Sequence, residues 1–180
     1  MRITAGELRG RKVTMPEIPG LRPTPSKVRQ ALFNILQDVQ DWNVLDLFSG
    51  SGLMALECLS RKAGRVISIE KNSRLCQHMI DTREAWELRG RWQIYHGKVN
   101  KVTGNITEAS FDLVYADPPY DQGFAERIPH WLSKVEVRIE HLVIEESSRA
   151  RPHWPEGWTQ TACRRYGDTC LYFLEQERRK

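Results

Sequence analysis

Val44-Leu45-Asp46-Leu47-Phe48-Ser49-Gly50-Ser51-Gly52 joins an apolar run to a glycine loop, and a helical pattern begins at Leu53. Glycines let the loop backbone approach a ligand, and the first turn of the helix presents unpaired N–H groups there. The spacing Gly50, Gly52, Ala55, with Glu70 twenty residues after Gly50, fits an adenosine-cofactor fingerprint. Asp46 selects among such cofactors. A carboxylate beside the loop repels the pyrophosphate of NAD or FAD but suits a cation. S-adenosylmethionine carries a sulfonium and an ammonium, and Asp46 can hold its methionine portion directly or through water. The alternative for Asp46 is a loop residue bonded to backbone N–H groups. Asp46, Phe48, Ser49, Gly50, Ser51 and Gly52 are the candidate cofactor residues of this loop. Glu70, ending the next strand, can accept hydrogen bonds from both ribose hydroxyls.

With 180 residues, 40% hydrophobic and 28% charged, the chain suits a single domain with a substantial core and a small appendage. It contains no apolar run near the roughly 20 residues that span a bilayer, and Met1-Arg2-Ile3-Thr4 lacks a signal-peptide core, so a cytoplasmic location is expected. Cys58, Cys76, Cys163 and Cys170 follow no metal-ligand spacing, and the five histidines form no His-x-x-x-His pair. No metal site is expected, and the thiols should be reduced. The net charge of +4 is unevenly spread: residues 1–30 hold seven basic and two acidic side chains, leaving about −1 for the rest. Such a concentration suits a phosphate-backbone contact, with Arg9, Arg11, Lys12 and Arg22 as candidate RNA-binding residues. The bland alternative is a solvated charge run.

Along the chain, Ile3 to Val13 reads as a short hairpin displaying basic side chains, and the prolines from Pro16 to Pro25 read as an extended linker. A helix follows, with Thr24 as N-cap, Pro25 in its first position and Val28, Ala31, Leu32, Ile35 and Leu36 on its buried face. Arg29, Gln30 and Asn34 fall on the exposed face. Strands and helices then alternate as a parallel sheet requires. Strands are expected at Val44–Leu47, Arg65–Ile69, Trp92–Tyr95, Phe111–Ala116 and Leu142–Glu145. Helices are expected from Leu53 to about Arg61, from Asn72 or Ser73 to about Leu88, and from about Phe124 to Leu132, with a short one near Val99 to Val102. Gly97-Lys98-Val99 lies where backbone N–H groups can read an adenine edge, making Lys98 and Val99 cofactor candidates. Thr159–Tyr166 and Thr169–Leu174, joined by Gly167-Asp168, read as a hairpin in which Cys170 faces Arg165 rather than Cys163.

Asp117-Pro118-Pro119-Tyr120 leaves the Phe111–Ala116 strand at its carboxyl end, where ligands bind in open α/β sheets. An exocyclic purine amine is a poor nucleophile because its lone pair is delocalised into the ring. The Asp117 carboxylate and the Pro118 carbonyl can each accept one of its N–H groups, which aims the lone pair at an electrophilic methyl. Pro119 stiffens the loop, and Tyr120 offers a face on which a flipped base can stack. Asp117, Pro118, Pro119 and Tyr120 are the candidate catalytic residues.

The chain resembles the class I S-adenosylmethionine-dependent methyltransferases that methylate amines, and among them the bacterial 16S ribosomal RNA guanine-N2 family of the guanine 966 type. Gly6-Glu7-Leu8-Arg9-Gly10-Arg11-Lys12, Arg22-Pro23-Thr24 with Leu32-Phe33-Asn34-Ile35-Leu36, Val44–Gly52 with Glu57-Cys58-Leu59-Ser60-Arg61, and Asp117–Tyr120 carry the likeness. It implies a Rossmann-like α/β fold: a seven-stranded, mostly parallel sheet with a C-terminal antiparallel hairpin and an N-terminal β-hairpin extension. The expected division is 1–25 for the basic hairpin and linker and 26–180 for the methyltransferase domain. The likeness also implies 16S ribosomal RNA in assembled or assembling 30S subunits as partner; a monomer is expected. In one place the chain departs from the family pattern, carrying Gly97-Lys98 where Gly-Asp is usual. Rival readings are a DNA or RNA adenine-N6 methyltransferase, an NAD-dependent oxidoreductase and a non-catalytic RNA-binding assembly factor. The first uses the same four residues, while the second shares the glycine loop and Glu70 but leaves Asp117–Tyr120 unexplained.

Overall fold

The computed structural model describes residues 1–16, 18 and 25–177. Its strands are β1 (Asn43–Leu47), β2 (Arg65–Glu70), β3 (Trp92–His96), β4 (Ser110–Ala116), β5 (Arg138–Ser147), β6 (Trp158–Tyr166) and β7 (Thr169–Gln176). They form one sheet in the order β3-β2-β1-β4-β5-β7-β6. The first five run parallel, and β7 inserts antiparallel between β5 and β6. The expected seven-stranded, mostly parallel sheet is therefore present. β5 outruns the expected Leu142–Glu145 at both ends, because β4 pairs with it from Arg138 and β7 pairs with it as far as Ser147.

Among the described residues five α-helices cover the sheet: α1 (Ser26–Leu36), α2 (Leu53–Ser60), α3 (Ser73–Ala85), α4 (Val99–Val102) and α5 (Phe124–Leu132). One face packs Val44, Val66, Leu113 and Val143 under α1, α2 and α3, and the other packs Leu45, Ile67, Val114 and Ile144 under α4 and α5. This alternation is the two-residue period of strands buried on both sides. Asn72 caps α3, its side chain accepting from the N–H groups of Arg74 and Leu75. The α5 helix keeps Pro129 in its last turns.

The α1 helix departs from its expected face. Val28, Arg29, Leu32 and Phe33 are buried, whereas Ile35 is 41% exposed. The helix is rotated because Arg29, expected outside, has a buried acid to meet: its Nε lies 3.5 Å from Oε1 of Glu57 on α2, with the two side chains 2% and 0% exposed. Pro25 occupies the N-cap rather than the first helical position. The expected Thr24 cap lies outside the described residues.

The N-terminal ribbon is held by one antiparallel bridge, Arg2↔Lys12, and packs Ile3, Leu8 and Val13 into the α2–α3 core. Glu57 anchors it, accepting from the Thr4 N–H and hydroxyl at 2.9 Å each and pairing with Arg61. Gly6 shows why this docking needs glycine: at φ +81° its Cβ would fall 1.8 Å from the Ser60 carbonyl oxygen. These contacts place the basic tip of the ribbon. Ser60 ends α2, Arg91 precedes β3 and pairs with Glu7, and Arg11 stacks on Trp86 at the end of α3. All three landmarks lie at the amino edge of the sheet. Replacing Glu57 by Ala leaves the buried Arg29 and the neighbouring Arg61 without their carboxylate, so unfolding in urea should show a loss of about 3–5 kcal/mol. A loss below about 1 kcal/mol would show that the pair contributes no more than a surface contact.

Candidate cofactor and substrate crevice

β1 and β4 are neighbours in register, Leu47 opposite Ala116, so the two segments that follow them emerge side by side. The Asp117 N–H points at the Leu47 carbonyl, 3.5 Å away. Strand order reverses here: β1 is followed across the sheet by β2 and β3, and β4 by β5. A crevice opens at such a switch point. The glycine loop forms one wall and Asp117–Tyr120 the other.

On the loop wall, Phe48 takes a left-handed φ of 59° and its ring meets Phe124, at the start of α5, edge to face at 5.3 Å. Ser49 donates its hydroxyl to the Asp46 carbonyl at 2.7 Å. Ser51 is buried beside it. Gly52 has a reason other than ligand approach: at φ +74° a Cβ would meet Trp92 at 2.7 Å and Met79 at 2.9 Å. Its bareness serves the packing of α2 on the sheet. Gly50 donates its N–H to Glu70 Oε2 at 2.9 Å. Glu70 takes the Asn72 N–H on its other oxygen at 2.8 Å, so it clamps the loop and retains further acceptor capacity on both oxygens. Gly97 donates to the Glu70 carbonyl, which brings Lys98 and Val99 to the same side; Lys98 is exposed and Val99 buried.

Asp46 and Glu70 are 1% and 7% exposed, and neither has a lysine or arginine partner among the described residues. Among the described residues Asp46 Oδ2 has no hydrogen-bond partner. Burial pushes the Asp46 carboxyl up to about 7, and nearby Glu70 adds to this, while Ser49, the Ala55 N–H and Ser68 oppose it. An orphaned buried carboxylate oxygen beside a second buried acid is a poor neighbour for pyrophosphate and a good one for a cation. The residues present therefore fit the sulfonium and ammonium of S-adenosylmethionine.

On the other wall, Asp117 is half-buried, Pro118 buried and Pro119 exposed. Tyr120 is half-buried, its hydroxyl donating to Glu145 Oε1 at 2.6 Å and lying 3.1 Å from Thr169 Oγ1. Tyr115 donates to the other Glu145 oxygen at 2.6 Å. The next acid, Glu146, takes the N–H groups of Asp121 and Ser147 at 3.2 and 2.7 Å. Burial raises both glutamates and Tyr120 above their ordinary pKa values. Sequence reasoning passed over this pair, although two acids ending an apolar strand beside Asp117 are a readable signal.

The structure thus brings together the catalytic and cofactor candidates. Arg9, Arg11 and Lys12 lie exposed at the opposite, amino edge, and Arg22 lies outside the described residues. Among the described residues no group of three or more His, Cys, Asp or Glu could hold a metal ion, and no helix is long and apolar enough to cross a membrane.

Comparison with known proteins agrees with this architecture. Ribosomal RNA small subunit methyltransferase D of Escherichia coli K12 is 35% identical over 163 residues, covering 88% of this chain and 81% of its own. The Haemophilus influenzae protein of the same name is 29% identical over 164 residues, covering 88% and 85%. The solved structure of Escherichia coli yhhF superposes with a TM-score of 0.83 at 27% identity over 98% of each chain. An RNA methyltransferase from Salinibacter ruber, solved with S-adenosyl-L-homocysteine, shares the fold alone, with a TM-score of 0.66 and 13% identity over 88% of this chain and 97% of its own. Residues 1–175 match the sequence profile of conserved hypothetical protein 95, and the chain belongs to that family.

Proposed function

We propose that the chain transfers a methyl group from S-adenosylmethionine to the exocyclic N2 of a guanine in 16S ribosomal RNA, acting on assembled or assembling 30S subunits. The observation that carries this reading is the β1–β4 register, which opens the glycine loop and Asp117–Tyr120 into one crevice. Support for the substrate comes from relatives named for methylation of small-subunit ribosomal RNA.

When bound, the cofactor supplies an electrophilic methyl on a sulfonium. In this reading Glu70 accepts from the ribose, the Asp46 carboxylate faces the cationic methionine portion, and the main chain at Lys98 and Val99 reads the adenine. Lys98 replaces the carboxylate that would accept the adenine amino group. Asp117 and the Pro118 carbonyl hold the two N–H groups of the guanine amine, so its lone pair points out of the purine plane. Asp117 or water takes the proton released when the N–C bond forms. Tyr120, fixed through its hydroxyl by Glu145, presents its ring to the base. Arg9, Arg11 and Lys12 add phosphate contacts at a distance from the reaction, and Arg22, outside the described residues, is assigned the same role. The two buried acids beside the loop disfavour the NAD reading.

Labelled methyl transfer to undermodified 30S subunits, free ribosomal RNA and DNA, followed by nucleoside analysis, tests the proposal. N2-methylguanosine from 30S subunits or ribosomal RNA supports it, and N6-methyladenosine or label in DNA alone rejects it. Asp117→Ala should bind S-adenosylmethionine with nearly unchanged affinity by calorimetry while methyl transfer falls by about 10²–10³; a variant of full activity would remove Asp117 from the chemistry. Asp46 gives a pH test of its own. Its carboxyl is raised from 3.8 to about 7 on folding, so the folded chain binds that proton more tightly than the unfolded chain. Its contribution to stability is full below about pH 4 and is lost as pH rises through about 7. The melting temperature of the unliganded protein should therefore fall between about pH 5 and 8, and Asp46→Asn should flatten that fall. A cationic ligand favours the ionised form, so S-adenosylmethionine affinity should rise over the same interval. An affinity that does not change with pH would place the cofactor's charge elsewhere.

A further inference from the structure

The sequence places its excess of positive charge in the first thirty residues, yet the fold gathers a second group at the substrate end. β5 ends at Ser147 and continues through Ser148-Arg149-Ala150-Arg151. The Ser148 N–H donates to the Asp168 carbonyl at 2.8 Å, tying this segment to the β6–β7 turn. Arg164 and Arg165 end β6 beside the same turn, with Arg165 opposite Cys170. The turn adjoins the candidate site, since Thr169 approaches the Tyr120 hydroxyl. Arg149, Arg151, Arg164 and Arg165 are thus drawn from two separate segments to the carboxyl edge of the sheet.

All four are exposed. Among the described residues none has a carboxylate partner within 4.0 Å. Three are oriented by main-chain carbonyls: Arg151 donates to Ser148 and Ala150 at 3.2 and 2.8 Å, Arg164 to Cys163 at 3.3 Å and Arg165 to Gly167 at 2.9 Å. A carbonyl fixes a guanidinium without neutralising it and leaves most of its five N–H groups for a ligand. The exposed acids in this region are Asp121, Asp168 and Glu126, the last taken up by the His153 N–H at 2.8 Å, while Glu145 and Glu146 are buried and engaged. β6 is the edge strand, and adjacent residues on it point to opposite faces, so Arg164 and Arg165 address both sides of the edge.

We propose that Arg149, Arg151, Arg164 and Arg165 form a phosphate-binding surface that grips the RNA backbone flanking the nucleotide presented to Asp117–Tyr120. This rests on the ribosomal RNA reading above. Guanidinium forks match phosphate oxygens two at a time, and the surface borders the tyrosine on which the base would stack. The height of the strands, roughly 20 Å, and the width of several strands both separate it from the basic tip of the N-terminal ribbon, which packs at the β3 end of the sheet. The two surfaces can therefore be separated by mutation.

The test compares the full chain, a variant with all four arginines changed to Gln, and a variant with Arg9, Arg11 and Lys12 changed to Gln. Binding of 16S ribosomal RNA is read without cofactor over about 50–300 mM salt, and KM and kcat are read on undermodified 30S subunits. The four-arginine variant should lose about 2–4 from the slope of log affinity against log salt, close to one per phosphate released. Its KM for 30S subunits should rise at least about 30-fold, with kcat and S-adenosylmethionine affinity retained. An unchanged salt slope in that variant overturns the surface, and so does a loss confined to the Arg9, Arg11 and Lys12 variant. The binding arm decides the surface whatever methyl transfer shows. Failure of the unaltered chain to methylate any RNA would overturn the ribosomal RNA reading instead.

Discussion

Everything at the carboxyl edge depends on β1 and β4 lying side by side in parallel register. A parallel pair forces both chains to leave the sheet in the same direction, and their central position means each then turns away from the other. Leu47 opposite Ala116 sets where the two exits stand. A slip of one residue would turn Asp46 and Tyr115 to the wrong faces, exchanging each for an apolar neighbour. The register is protected because both faces are buried, Val44 and Leu113 beneath one helical layer and Leu45 and Val114 beneath the other.

The same edge concentrates buried acids. Asp46 and Glu70 lie on the loop side, Glu145 and Glu146 on the substrate side. They do different work. Glu145 and Glu146 are satisfied by hydroxyls and main-chain N–H groups, and together they fix the segment from Tyr120 to Asp121. Glu70 holds the glycine loop but keeps acceptor capacity, and Asp46 keeps an oxygen with no partner among the described residues. Rigid, satisfied carboxylates on one wall and an unsatisfied one on the other form an asymmetry suited to a site that positions a neutral base against a cationic cofactor.

Much of this was legible in the sequence because it is written in short-range patterns. The apolar runs, the glycine loop and the Gly167-Asp168 turn each lie within a few residues, and the Arg165–Cys170 pairing follows from a two-residue hairpin loop. The exposed face assigned to Arg29 failed for the opposite reason. Helical periodicity sees a cation as surface, and the acid that accounts for its burial lies 28 residues away on α2. Gly52 was attributed to ligand approach, but its space is taken by Trp92 and Met79, from elements far along the chain. The register did keep Cys163 and Cys170 from facing each other, yet their side chains converge diagonally to 3.3 Å as free thiols, which pairing alone does not reveal. Charge summed over segments hid the arginines at the substrate end, because Glu145 and Glu146, close to them in sequence, are buried and held by hydroxyls and main-chain N–H groups.

One crevice should hold both reacting partners. A crystal structure of the chain with S-adenosyl-L-homocysteine tests it most directly. The ribose is expected on Glu70, the methionine portion beside Asp46 and the sulfur opening toward Asp117–Tyr120. Ligand density at the amino edge of the sheet, or with its sulfur turned away from Asp117, would contradict it.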